Sequence, residues 1–128
     1  MKARFIRLFD RRLATLLVLL LGGSLFACGP ARPDLTFAPA TLPAAAAGQP
    51  YHATITVSGH VTPVGQIYVE SGDLPPGLTI NYQRNADSAE ISGSPQQAGT
   101  FKFTIGAWCL GTNVSGQTGK QSYELTVK

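Results

Sequence analysis

Few side chains in this sequence could carry chemistry. The 128 residues include two cysteines and two histidines. Cys28 and Cys109 stand far apart, and His52 and His60 have no companion ligand at the spacing a metal site needs. No serine occupies a Gly-x-Ser-x-Gly elbow, and no carboxylate pair is placed for acid–base work. A nucleophilic thiol requires a base, and the base requires an orienting partner. Nothing in the sequence puts either histidine beside Cys109. Asp73, Asp87 and Glu90 are scattered acids, whereas calcium wants six to eight oxygens. The expectation is a protein that is not an enzyme, with no catalytic residues, no metal and no cofactor.

Charge divides the chain at its front. Residues 1–27 hold Lys2, Arg4, Arg7, Arg11 and Arg12 against Asp10, a net of 5 − 1 = +4. Residues 28–128 hold five bases and six acids, a net of 5 − 6 = −1. The basic balance of the whole chain therefore belongs to its first segment, and nucleic-acid binding, which needs a basic patch on the folded domain, is not expected. A basic start, the apolar run 13–21 and then Gly22, Gly23 and Ser24 form the layout of a secretory signal peptide over 1–27. The apolar run is short of the roughly 20 residues that span a bilayer comfortably. Leu25-Phe26-Ala27-Cys28 resembles a bacterial lipobox, with Phe26 bulkier than usual. That resemblance implies cleavage before Cys28, a lipid on its thiol and a membrane anchor of two or three acyl chains, of the palmitate kind. Gly29 stands where an Asp would retain a Gram-negative lipoprotein at the inner membrane, so the resemblance implies the outer membrane, facing periplasm or cell surface. The residues after Arg11-Arg12 do not fit a twin-arginine signal, which leaves the general secretory route. Cys109 then reads as a small buried apolar residue or as an intermolecular disulfide partner. A Cys28–Cys109 disulfide is open only to an unlipidated chain.

The elements that must position any remaining function are strands. Residues 28–34 read as a tether, because recurrent prolines remove donors and restrict their neighbours. Residues 35–37 suit a short edge strand, and 44–47, boxed between Pro43 and Gly48, an extended edge segment. Tyr51 to Ser58 alternates strictly, with Tyr51, Ala53, Ile55 and Val57 on one face and His52 on the other. Strands are expected at 66–71, 78–82, 89–92, 100–109 and 121–128, separated by a loop at 59–65, a Pro-Pro-Gly corner at 74–77, polar turns and a long loop at 110–119. Seven short strands at this spacing predict an all-β sandwich over 35–128. The expected core is Tyr51, Ile55, Val57, Ile67, Val69, Leu78, Ile80, Ile91, Phe101, Phe103, Ile105, Tyr123, Leu125 and Val127.

SGDLPPGLTIN followed by ISGSPQQAGTFKFTI, with the approach AGQPYHATITVSG, resembles the bacterial Ig-like domain family, whose cadherin-like modules occur in surface and secreted proteins. The resemblance covers about residues 34–128 and implies an Ig-like β-sandwich. Ile67 stands where that family commonly has a core tryptophan. After Ile105 an acidic turn is replaced by Gly106-Ala107-Trp108-Cys109-Leu110, which weakens any inter-repeat calcium site. A rigid sandwich presenting its loops suits binding. The expected function is a non-enzymatic, lipid-anchored binding or adhesion module of the cell envelope, with an unknown protein or glycan partner. The alternative is a structural or assembly subunit of an outer-membrane complex, docking by an exposed sheet edge. Trp108 points outward by strand phase and exposed tryptophan is favoured at recognition surfaces, so Trp108, Tyr68 and Asn113 are the candidate recognition residues.

Overall fold

The computed structural model describes residues 32–111 and 116–128; the expected signal peptide over 1–27, Cys28 and Asn113 lie outside the described residues. Seven strands follow one another: β1 (Thr36–Ala38), β2 (Tyr51–Ser58), β3 (Val64–Gly72), β4 (Leu78–Tyr82), β5 (Ser88–Gly93), β6 (Gly99–Cys109) and β7 (Thr118–Val127). They form two antiparallel sheets, ordered β1-β2-β5-β4 and β3-β6-β7. Strand β2 is buried and exposed at alternate residues throughout, as its period of two dictates. Between the sheets, Ile55 and Ile91 of one meet Ile67, Ile105 and Leu125 of the other as the largest fully buried side chains. Phe103 and Tyr123 stack across the β6–β7 pair with ring centres 6.1 Å apart. This is the all-β sandwich that the alternation predicts, with the Ig-like architecture that the family resemblance implies.

The family motif has a physical explanation in two interlocked corners. Gly77 and Gly93 both have positive φ, 93° and 133°. A Cβ on Gly77 would run into the Ser94 carbonyl oxygen, and one on Gly93 into that of Gly77. Only glycine lets the two backbones approach this closely. The Ser94 amide then donates to Gly77 O at 3.2 Å and the Gln96 amide to Pro76 O at 2.8 Å. Pro75 and Pro95 are buried beneath. The Pro-Pro-Gly and Gly-Ser-Pro segments are thus one structural unit split across the sequence.

Several boundaries differ from expectation. Strand β3 begins at Val64, fully buried and paired with Cys109, although a Gly-rich stretch surrounds it. Strand β7 begins at Thr118, because its partner β6 runs on to Cys109 and continues the ladder through Trp108↔Thr118. Val69, Ile80 and Phe101 are only partly buried and pack on the margin of the core. Their places are taken by Val64, Ala53, Ala89, Ala107 and Cys109, where smaller apolar residues complete the inner face.

Candidate functional site

The strand directions gather the N-terminal approach, the connections 59–63 and 83–87, and residues 110–111 and 116–117 at one end of the sandwich. Gln117 organises that end. It is buried, and its amide nitrogen donates to Pro33 O at 2.6 Å and Gly59 O at 3.0 Å. Its carbonyl oxygen accepts from the Val61 amide at 2.8 Å. One side chain therefore ties the incoming chain, the β2–β3 loop and the start of β7 together. His60, expected to stand alone, faces Asp87 at 3.2 Å. His52, on the outer face of the β1-β2-β5-β4 sheet, faces Glu90 at 2.9 Å and is exposed. The buried Thr62 hydroxyl has no hydrogen-bond partner among the described residues.

The outer face of the β3-β6-β7 sheet is built differently. The register aligns Gln66, Trp108 and Thr118 in one row and Tyr68, Gly106 and Lys120 in the next. A bulge between Val64 and Gln66 leaves Gly65 unpaired beside Trp108. A Cβ on Gly65 would collide with the six-membered ring of Trp108, nearest Cζ3, with Cε3 and Cη2 equal at 2.6 Å. That order of approach belongs to a ring lying across the glycine. The indole Nε1–H reaches Gln66 Oε1 at 3.4 Å. In the next row the tip of Tyr68 lies over Gly106, where a Cβ would stand 3.1 Å from Cζ and 3.2 Å from the hydroxyl. Gly106 is buried on an outward position because Tyr68 and Glu70 cover it. Glycine on one strand with an aromatic ring laid over it from the next is a recognised device for stabilising sheets. Here it occurs twice, in opposite directions across the same strand pair.

Lys120 lies 3.7 Å from Glu70, and a shallow cleft of about 320 Å³ opens among Tyr68, Glu70, Thr118 and Lys120. Further along the face Lys102 pairs with Glu124 at 3.3 Å. Trp108 remains 37% exposed and, with Val61 of the 59–63 loop, is one of two exposed large apolar residues described. Trp108 and Tyr68 thus share one surface, as their strand phases imply. Lys120, Glu70 and the two glycines complete it. In the sequence Gly65 reads as the end of a loop and Gly106 as part of the strand 100–109; their cross-strand partners depend on register. Among the described residues, no three His, Cys, Asp or Glu side chains come together as metal ligands. Cys109 is buried, and burial, with the nearby Asp87 charge adding to it, pushes its thiol above the ordinary value.

Residues 33–128 match the family described as "Putative Ig domain". The chain belongs to this family. No curated protein matches the sequence. Among solved structures, the endo-fucoidan hydrolase MfFcnA4 of glycoside hydrolase family 107 aligns with a TM-score of 0.59 at 21% identity, covering 77% of this chain and 14% of that one. The related hydrolase MfFcnA9 aligns with the same score and identity over 77% of this chain and 17% of its own. PapD-like domain 7 of human CEP192 aligns at 0.49 and 13% identity, over 78% and 89% of the two chains. The Ig-like domain thus spans about a sixth of the two hydrolases it matches, and the likeness is one of fold.

Proposed function

We propose that this protein is a non-enzymatic, lipid-anchored envelope module whose Ig-like domain binds a partner through the outer face of β3-β6-β7. The observation that carries the reading is the pair of aromatic rings, Trp108 and Tyr68, laid down over Gly65 and Gly106 on a rigid sheet. Its charged groups support a binding role over a catalytic one. His52–Glu90, His60–Asp87, Lys102–Glu124 and Lys120–Glu70 pair one to one in separate places rather than gathering at a single centre. The anchor rests on the Leu-Phe-Ala-Cys28 pattern, and the outer membrane is the proposed location. Labelled palmitate should enter the wild-type chain and not Cys28→Ser, and Cys28→Ser should leave the membrane fraction. Trp108→Ala should lose the partner in pull-downs while keeping its melting temperature within a few degrees. Unchanged partners with a large drop in melting would make Trp108 a purely structural residue and sink the reading.

An assembly subunit is the second reading. It is supported by the edge strand β7, whose outer side pairs with the described chain only at its end, through Ala45 and Val127. Crosslinking in intact cells from positions on β7 separates the two. A fixed stoichiometric protein on that edge favours assembly, and a contact mapped to Trp108 favours the binding module.

A further inference from the structure

We propose that the Trp108–Tyr68 face is a subsite for a neutral polysaccharide strand. This rests on the binding-module reading above and names the ligand class. A pyranose ring presents an apolar C–H face and a belt of hydroxyls around its edge. A complementary surface offers an aromatic ring face-up, with hydrogen-bonding side chains beside it and little aliphatic bulk. Trp108 fits the first requirement, because Gly65 takes one side of the ring and leaves the other toward solvent. Had residue 65 carried a Cβ, the indole would have to move off this position. Tyr68 makes the reciprocal arrangement in the next outward row, its tip over Gly106 of β6. Adjacent outward rows lie about 7 Å apart along the strands, so the two aromatics occupy neighbouring rows that one extended ligand can bridge.

The surroundings fit the second requirement. Gln66, Glu70, Thr118 and Lys120 border the rings, and the remaining outward positions of β6 and β7 are polar. A protein-docking centre is more apolar than this, with aromatic anchors sunk among desolvated neighbours. Charge selects among glycans. Each cation on the face has an acid beside it, Lys120 with Glu70 and Lys102 with Glu124, so the surface offers no uncompensated site for sulfate or carboxylate groups. The cleft of about 320 Å³ beside Tyr68 lies at the small end of the range for ligand sites, roughly 300–1,000 Å³. It suits one sugar unit seated beside a strand that continues over Trp108.

The chain has a single tryptophan, so Trp108 fluorescence reports the site directly. Residues 32–128 form one compact unit with its own core, and this fragment serves for the measurement. Cellohexaose and chitohexaose are the neutral probes, with a heparin-derived hexasaccharide as the anionic one. The expected result is a saturable emission change with a neutral hexamer, weaker binding of the matching disaccharide, and none with heparin. Tyr68→Ala should weaken binding about tenfold, with calorimetry confirming the loss in Trp108→Ala, and circular dichroism should show both variants folded. Lys120→Ala tests the cleft and should weaken binding without unfolding. No saturable response to either neutral probe, or a stronger one to heparin, overturns the proposal. If that failure coincides with an in-cell protein crosslink at Trp108, the binding module stands with a protein partner. Without such a crosslink, both readings fall.

Discussion

Gln117→Met should destabilise the domain through hydrogen bonds alone. Methionine keeps the length and apolar contacts of the side chain, but it cannot donate to Pro33 O and Gly59 O or accept from the Val61 amide. Three backbone groups at one end of the sandwich would lose their partners. A net loss of about 1 kcal/mol per bond, appropriate where water partly replaces the missing partner, sums to about 3 kcal/mol. For a domain of this size, that lowers the melting temperature by about 10–20 °C. Denaturant unfolding should show a lower midpoint with an unchanged slope, since the core is untouched. Gln117→Ala should fall further by the packing it loses. Amide exchange at Val61 should accelerate in both variants, because its acceptor is gone. A Gln117→Met protein within about 0.5 kcal/mol of wild type would refute the assignment, showing that the loops at this end are held by packing and by their own backbone bonds.

Three further outcomes follow from the same contacts. Tyr51 and Tyr123 donate their hydroxyls to Pro43 O and Pro39 O, both at 3.0 Å, and burial raises both above the ordinary 10.0. The unfolded chain therefore gives up these protons first, so their contribution is intact below about pH 10 and is lost as pH rises toward the folded-state values; a Tyr51→Phe/Tyr123→Phe variant should show a flatter alkaline fall in denaturation midpoint. Cys109, 2% exposed, should resist thiol reagents until the domain unfolds, and Cys109→Ser should cost about 1–3 kcal/mol by burying a hydroxyl without a partner; rapid labelling of the native protein would contradict this. Gly65→Ala should displace the Trp108 ring, shifting its emission to the red and raising its quenching by acrylamide while changing stability by less than about 1 kcal/mol.

The sandwich was legible because its signals are local. Strict alternation in 51–58 and 100–109 fixed which residues face inward, and the two corner motifs marked where the chain reverses. The errors fall where a distant partner decides the outcome. Thr118-Gly119 reads as loop by composition and becomes strand because β6 offers it hydrogen bonds. Val64 reads as part of a loop and becomes core because Cys109 lies opposite. Ile80 and Phe101 have inward phase, but at the margins of their sheets neighbours cover them only in part.

The candidate site shows the same division more sharply. Outward phase alone identified Trp108 and Tyr68. What makes them a surface is that Tyr68 crosses from β3 to the glycine of β6 while Trp108 crosses from β6 to the glycine of β3. That exchange depends on the register Tyr68↔Gly106 and on the bulge that releases Gly65. Register in a three-stranded sheet is set by the summed pairing along β6, not by any residue in the site. A one-residue slip would turn the aromatics into the core and the small inward residues out to solvent. The candidate site is therefore conditional on the fold in a specific way: the ladder that stabilises β6 is also what lays the Trp108 ring over Gly65 and the tip of Tyr68 over Gly106 on its outer surface.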